Sequence, residues 1–382
     1  MKRVLIFLVV IAIGIPLMGV GQQLAERQVL RDASPDDDIT GLDPFYFLGT
    51  SGEPMSRAIF EGLVRFNFGH VSLEKMEPAL AESWEVSVDG LTWRFYLRRG
   101  VQFHHGYGEF TAEDAKFTID RLIEGNSRHA PDYATVREIV VIDPYTIEFR
   151  LSEPNGFFLF TVGNYHGGSI VSKKAVEELG DGFRAFPVGT GPFQFKEWIS
   201  KEKVVLERFD EYWRGKPILE AIEFIFMPDR NTQTLALESG QIDAITSAPD
   251  EEEWVQNMRS KGIIVDTLGY DVPMMLHFNM TVAPLDNILV RQALAYASDR
   301  EEFVIFHGPS ICREQITPLP PGMYSSISEG VPRYDYDLNK ARQLLSAAGY
   351  PNGFDLGTVF SSVRELYLDP LEILQAQWAK LA

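Results

Sequence analysis

The sequence predicts a mixed α/β protein folded as two lobes, and three observations predict it. Strand and helix signals alternate along the chain without a repeat period. The length of 382 residues exceeds what a single core holds, since domains run to roughly 100–200 residues. Hydrophobic residues make up 45% of the chain, a globular proportion that excludes general disorder.

The clearest strand pair runs over 84–97, where Trp84, Val86 and Val88 alternate with polar residues. Asp89-Gly90 supplies a turn tolerant of positive φ, and Trp93, Phe95 and Leu97 then alternate again. Thr111 caps a helix, Asp114 completes a capping box, and Ala115, Ile119, Leu122 and Ile123 share one face. A second hairpin joins 138–142 to 145–151 at Asp143-Pro144. Ser172 opens a short helix that stops at Gly180. Strands are expected at 193–198, 204–207, 222–226, 242–245, 274–278 and around Phe354. Helices are expected from Asn231 to Ser239, over 287–296, and over 337–348 behind an Asp337 cap. At the end of the sequence Leu371, Leu374, Trp378 and Leu381 form an apolar helical stripe that must bury itself against a neighbour.

Several function classes are disfavoured. A net charge of −19 repels phosphate backbones, so no nucleic-acid partner is expected. The lone Cys312 permits no intrachain disulfide and no multi-cysteine metal site. Adjacent His104 and His105 point to opposite faces if extended, a poor metal pair, and no metal or cofactor is expected. Gly189-Thr190-Gly191 is too short for a dinucleotide fingerprint and reads as a tight turn. No nucleophile elbow, zinc-protease helix or phosphate loop is present, so nothing proposes an enzyme.

The first residues read as a targeting signal. Lys2 and Arg3 precede an almost wholly apolar run over 4–20, and Gly19 and Gly21 occupy the small-residue positions before Gln22. An uncleaved anchor is the alternative, although the run is short for a span of about 20 residues. No cysteine stands near the cleavage position, so a free periplasmic protein is expected rather than a lipid-anchored one.

Ordered blocks along the chain carry a resemblance. They are Leu42-Asp43-Pro44 with Ile59-Phe60-Glu61-Gly62-Leu63-Val64; Pro78-Ala79-Leu80-Ala81-Glu82-Ser83-Trp84 with Asp89-Gly90-Leu91-Thr92-Trp93; and Gly100-Val101-Gln102-Phe103-His104 with Thr111-Ala112-Glu113-Asp114-Ala115. Further on come Val188-Gly189-Thr190-Gly191-Pro192-Phe193, Tyr212-Trp213-Arg214-Gly215-Lys216-Pro217, Gly240-Gln241-Ile242-Asp243, Val290-Arg291-Gln292-Ala293-Leu294 and Tyr336-Asp337-Leu338-Asn339-Lys340-Ala341. Together they resemble the peptide/nickel-type extracellular solute-binding proteins of family 5.

The resemblance implies a two-lobed periplasmic binding protein of the clamp type (class II). The first lobe would take 22–270 and the second 271–382, left incomplete where the sequence stops. It implies capture of peptides between the lobes, no covalent chemistry, delivery to ABC permease subunits, and a monomer. It also implies site residues: Phe45, Tyr46 and Phe47 after Leu-Asp-Pro as walls or stacking partners; Arg128 and His129 after the capped helix, with Arg128 meeting an anionic group; Asn164, Tyr165 and His166 as hydrogen-bonding groups after a strand; and Arg364, in a loop before the last helix, gripping a ligand carboxylate. Another solute (an opine, an oligosaccharide or a metal chelate) is the alternative ligand. A secreted hydrolase is the alternative class.

Overall fold

The computed structural model describes residues 28–46, 49–66, 75–164, 167–246, 249, 251–266, 273–319, 326–327, 329–359 and 364–381. In chain order the elements are β1 (Val29–Ser34), α1 (Gly49–Ile59), β2 (Val64–Phe66), β3 (Met76–Pro78), β4 (Ala81–Val86), β5 (Thr92–Leu97), α2 (Ala112–Glu124), β6 (Val136–Asp143), β7 (Thr146–Leu151), α3 (Phe158–Gly163) and α4 (Lys173–Leu179). They continue as β8 (Phe193–Ile199), β9 (Lys203–Arg208), β10 (Ala221–Phe226), α5 (Arg230–Glu238), β11 (Ala244–Ile245), α6 (Glu252–Ser260), α7 (Ile288–Tyr296), α8 (Arg300–His307), α9 (Leu338–Ala347) and α10 (Arg364–Trp378).

Local chemistry sets most of these boundaries. The Thr111 backbone N–H donates to Asp114 Oδ2 at 3.0 Å, the capping-box bond that starts α2. Ser172, Asp229, Asn287, Asp299 and Asp337 each accept a backbone N–H and start α4, α5, α7, α8 and α9. Gly90 adopts φ 71° at the turn between β4 and β5.

The strands form two larger sheets and a hairpin. One sheet has the order β11-β1-β10-β9-β8, with β1 parallel to both neighbours and β8, β9 and β10 antiparallel. The chain passes from β10 through α5 to β11 and so crosses over β1. The other sheet, β4-β5-β7-β6, is antiparallel, and β2 pairs with β3. One apolar cluster joins both sheets, with Met55, Ile59, Phe95, Phe149 and Phe158 fully buried in it. A separate cluster packs Val290, Leu294, Ala341, Leu345 and Leu381 together.

That second cluster receives the end of the predicted terminal stripe, Trp378 and Leu381, but not Leu371 or Leu374. Leu381 is buried, and the Trp378 indole N–H lies 3.0 Å from Ser298 Oγ and 3.2 Å from the Leu294 carbonyl. Other expectations need correction. No strand forms at 274–278 or around Phe354, because neither segment has a ladder partner among the described residues. The 242–245 strand shrinks to the two residues of β11. Val86 and Val88 are exposed, since β4 is an edge strand whose alternation leads away from the core. The sequence reading lacked α1, α3, α6 and α8; α1 carries Pro54 and α3 has only six residues, both weak helix signals.

The predicted tight turn at Gly189-Thr190-Gly191 is held against the end of α1. A Cβ at Gly189 would stand 2.2 Å from the Ile59 carbonyl oxygen, so no side chain fits. His104 locks the same turn: its Nε2 lies 2.9 Å from the Gly191 carbonyl oxygen, and its Nδ1 lies 3.3 Å from the Gly189 nitrogen. This pairing requires the neutral ring protonated on Nε2. Burial accordingly pushes the His104 pKa down from 6.5 to about 3. Between those values the unfolded chain binds a proton that the folded chain refuses. Stability from this residue therefore falls as pH drops below the unfolded value, on the order of 1 kcal/mol per pH unit at most. His104→Gln should flatten that component: urea midpoints taken from pH 7 to pH 5 should fall less steeply in the variant than in the parent.

Candidate functional site

The loop after β1 is fixed at several points before it reaches the residues of interest. The Asp38 carboxylate accepts from Trp198 Nε1 (2.8 Å), Ser200 Oγ (2.6 Å) and the Lys201 backbone (3.0 Å), tying the loop to the β8–β9 turn. The Leu42 N–H donates to the Arg184 carbonyl at 2.8 Å. Asp43 is 2% exposed and receives a two-pronged guanidinium contact from Arg121 of α2, at 2.9 and 2.6 Å.

These ties place Phe45 and Tyr46. The Arg121 guanidinium carbon lies 4.8 Å from the centre of the Phe45 ring, which packs against the main core. Tyr46 is 40% exposed, with the Arg184 guanidinium 4.3 Å from its ring centre. Phe45 therefore serves as the loop's apolar anchor and Tyr46 as its accessible ring. Both line a concavity of about 620 Å³ along α2, together with Lys116, Phe117, Arg121 and Lys173.

Two further loops converge on this one. Ser127 Oγ donates to the Phe45 carbonyl at 2.6 Å and accepts the His129 N–H at 3.3 Å. A Cβ at Gly125 would lie 2.6 Å from the Phe45 ring, so glycine is what lets the end of α2 pass. The Tyr133 hydroxyl donates to the Gly167 carbonyl at 2.7 Å, and a Cβ at Gly167 would meet the His129 Cβ at 3.3 Å. The Asn164 carbonyl accepts the Gly168 N–H at 2.6 Å. Residues 40–46, 125–133, 164 and 167–168 thus form one connected rim.

The predicted site residues distribute as follows. Phe45, Tyr46, Arg128, His129 and Asn164 lie on the rim, with Arg128 exposed, Asn164 partly buried and His129 8% exposed. Phe47, Tyr165 and His166 fall outside the described residues. Asn164 follows the short helix α3 and not a strand, and Arg364 is the first residue of α10 and not part of a loop.

Sequence reasoning missed a polar junction at the end of α1. Glu61, at the end of α1, accepts from Thr190 Oγ1 (3.0 Å), Tyr212 Oη (3.0 Å) and Trp213 Nε1 (2.8 Å). Burial pushes its carboxyl up from the usual range, while these donors pull it back. The signal was present, because Glu61, Thr190 and Tyr212-Trp213 each sit in one of the quoted blocks. Sequence order alone did not reveal that the three blocks meet.

Comparison with known proteins gives the same architecture. The family described as bacterial extracellular solute-binding proteins, family 5 Middle, matches residues 75–382. Heme-binding protein A of Haemophilus influenzae is 31% identical over 377 residues, covering 89% of this chain and 66% of the relative. The chain thus spans just under two thirds of that relative's length. The structure of a binding protein from A. tumefaciens R10 in complex with mannopinic acid aligns with a TM-score of 0.73 at 32% identity, over 93% of this chain and 72% of the other. A Helicobacter pylori ABC transporter-associated periplasmic binding protein, in complex with the peptide STSA, aligns at 0.70 and 28% identity, over 92% of this chain and 72% of the other.

Removing the Asp43 carboxylate should strand the Arg121 guanidinium behind the rim. Asp43→Ala is expected to cost about 2–3 kcal/mol, at or below the usual range for a broken buried pair because Arg121 keeps some solvent. Urea unfolding monitored by tryptophan fluorescence checks it.

Proposed function

Because the chain belongs to the bacterial extracellular solute-binding proteins of family 5, we propose that it captures short peptides outside the cytoplasmic membrane and hands them to the permease of an ABC importer. One observation carries the peptide reading: the resemblance to the peptide-bound H. pylori protein, which extends over 92% of this chain. The rim built from 40–46, 125–133, 164 and 167–168 supplies one wall of the cleft, with Tyr46 for apolar contact, Arg128 for an anionic group and Asn164 for backbone hydrogen bonds. Phe47, Tyr165 and His166 are proposed to extend the same wall, and Arg364, from the other lobe, to grip a ligand carboxylate. The division into lobes at 22–270 and 271–382, cleavage after Gly21, a periplasmic location and a monomeric state belong to this reading.

Binding changes no covalent bond. Ligand contacts both lobes, and the closed form gains population because it holds ligand better. Among the described residues no group of three His, Cys, Asp or Glu side chains could hold a metal ion, and no helix is long and apolar enough to cross a membrane. An opine is the second reading, favoured by the mannopinic acid complex at 32% identity.

Titration calorimetry with dipeptides, tetrapeptides, mannopinic acid and haem tests the assignment. A peptide should bind with a Kd of about 1 μM or tighter and be recovered unchanged by mass spectrometry. Arg128→Ala should weaken an acidic peptide about tenfold, roughly 1.4 kcal/mol, and a neutral peptide of the same length much less. Binding of mannopinic acid alone would transfer the assignment to opines, and a cleaved peptide would overturn the binding reading.

A further inference from the structure

Helix α6 makes polar contacts through two opposite stripes, and each stripe serves a different part of the molecule. Trp254, and Lys261 two turns further on, face α5. Trp254 Nε1 donates to Thr234 Oγ1 at 2.8 Å, and Lys261 Nζ donates to Glu238 Oε1 at 2.6 Å. Helix α5 in turn packs Ala236 with Ala33 of β1. This stripe therefore fastens α6 to the unit built on the two sheets.

Glu252, Gln256 and Arg259 stand at i, i+4 and i+7 and share the other face. All three reach Ser310, in the turn that ends α8. The Glu252 carboxylate accepts the Ser310 backbone N–H at 2.9 Å and its hydroxyl at 2.8 Å. Gln256 Nε2 donates to Glu252 Oε1 at 2.7 Å and to Ser310 Oγ at 3.0 Å, and Arg259 Nη1 donates to the same hydroxyl at 3.2 Å. The other end of α8 is held by α10: Gln377 accepts the Asp299 N–H at 2.9 Å and donates to the Asp299 carbonyl at 3.1 Å. The Ser310 turn thus belongs to the unit built on α7, α9 and the end of the chain.

The approach of the two units here is close. Gly308 has φ 99°, and a Cβ on it would stand 2.2 Å from the Glu252 Cβ, so a side chain at 308 would push the turn off α6. The contacts across the junction are polar and reach solvent. Such bonds exchange readily with water, so they can be made and broken as the units move, which a dry apolar interface would resist.

We propose that α6 is a strut between the units: the first unit carries it, and the junction of Glu252, Gln256 and Arg259 with Ser310 restrains the angle at which the second unit stands. In a protein that works by changing that angle, the strut sets which arrangements are sampled before ligand selects among them. The inference rests on the two-lobe reading and not on the identity of the ligand, so a failed peptide titration leaves it standing.

Double electron–electron resonance on the full chain tests it. Spin labels go on Glu177→Cys in α4 and Gln343→Cys in α9, both exposed positions, in a parent whose native thiol is removed by Cys312→Ser. The parent should give one narrow distance distribution. Ser310→Ala deletes only the hydroxyl, and Gly308→Ala forces the turn from α6. Each should widen the distribution about twofold, while Glu253→Ala, at an exposed position of the same helix, should leave it as in the parent. Ser310→Ala leaves the backbone untouched and keeps the test decisive if Gly308→Ala does not fold. A broad distribution already in the parent would overturn the strut and leave two moving lobes in place. A narrow distribution in the parent and in both variants would overturn the strut together with the two-lobe reading. Equal widening in Glu253→Ala would show general loosening of α6 and overturn the strut alone.

Discussion

The junction between the end of α1 and the turn before β8 depends on one carboxylate. Glu61 stands where α1 ends, and its oxygens gather donors from the turn before β8 and from the Tyr212-Trp213 segment after β9. A partly buried acid is costly unless its lone pairs are used, and three donors at 2.8–3.0 Å use them. The same junction carries the closest backbone approaches in the fold, with Gly189 and Gly191 pressed on the last carbonyls of α1. His104 closes it from the other side. Three stretches of sequence distant from one another are therefore fixed at one point, and α1, with the loop leading into it, is fixed there too.

The proposed ligand wall is held by polar ties of its own rather than by regular structure. Asp38 holds the loop at the β8–β9 turn, Asp43 holds it to α2, and Ser127 holds it to the segment after α2. A loop secured in this way can present Tyr46 and Arg128 to solvent without paying fully for their disorder on binding, because the backbone beneath them is already ordered. The carboxylates involved face inward.

Much of the fold was legible because its signals are local. The capping box at Thr111 and Asp114, the Asp-Gly turn at 89–90 and the two-residue alternation of 93–97 and 147–151 state their own geometry, and each forms where expected. What stayed hidden was non-local. A strand at 274–278 needs a partner that periodicity cannot supply. Nothing short-range distinguishes Glu61 from a surface glutamate, since its donors come from far along the chain. The rim was partly legible: the resemblance named Phe45, Arg128 and Asn164 as contacts and quoted Asp43 without a role, but not Arg121 or Ser127, whose side chains help hold the loops together. His129, named as a contact, is buried against the glycine-lined turn at 167.

The crossover around β1 has a consequence for how the molecule is made. β1 opens the described chain at Val29, yet it lies between β10 and β11 and cannot be flanked on both sides until Ile245 is available. A chain threaded through a membrane pore from its N-terminus would deliver β1 first and its neighbours last. In a chain exported in that way, β1 would wait for its first partner until 221–226 had emerged and for its second until 244–245 had, while the β4-β5-β7-β6 sheet could form before either.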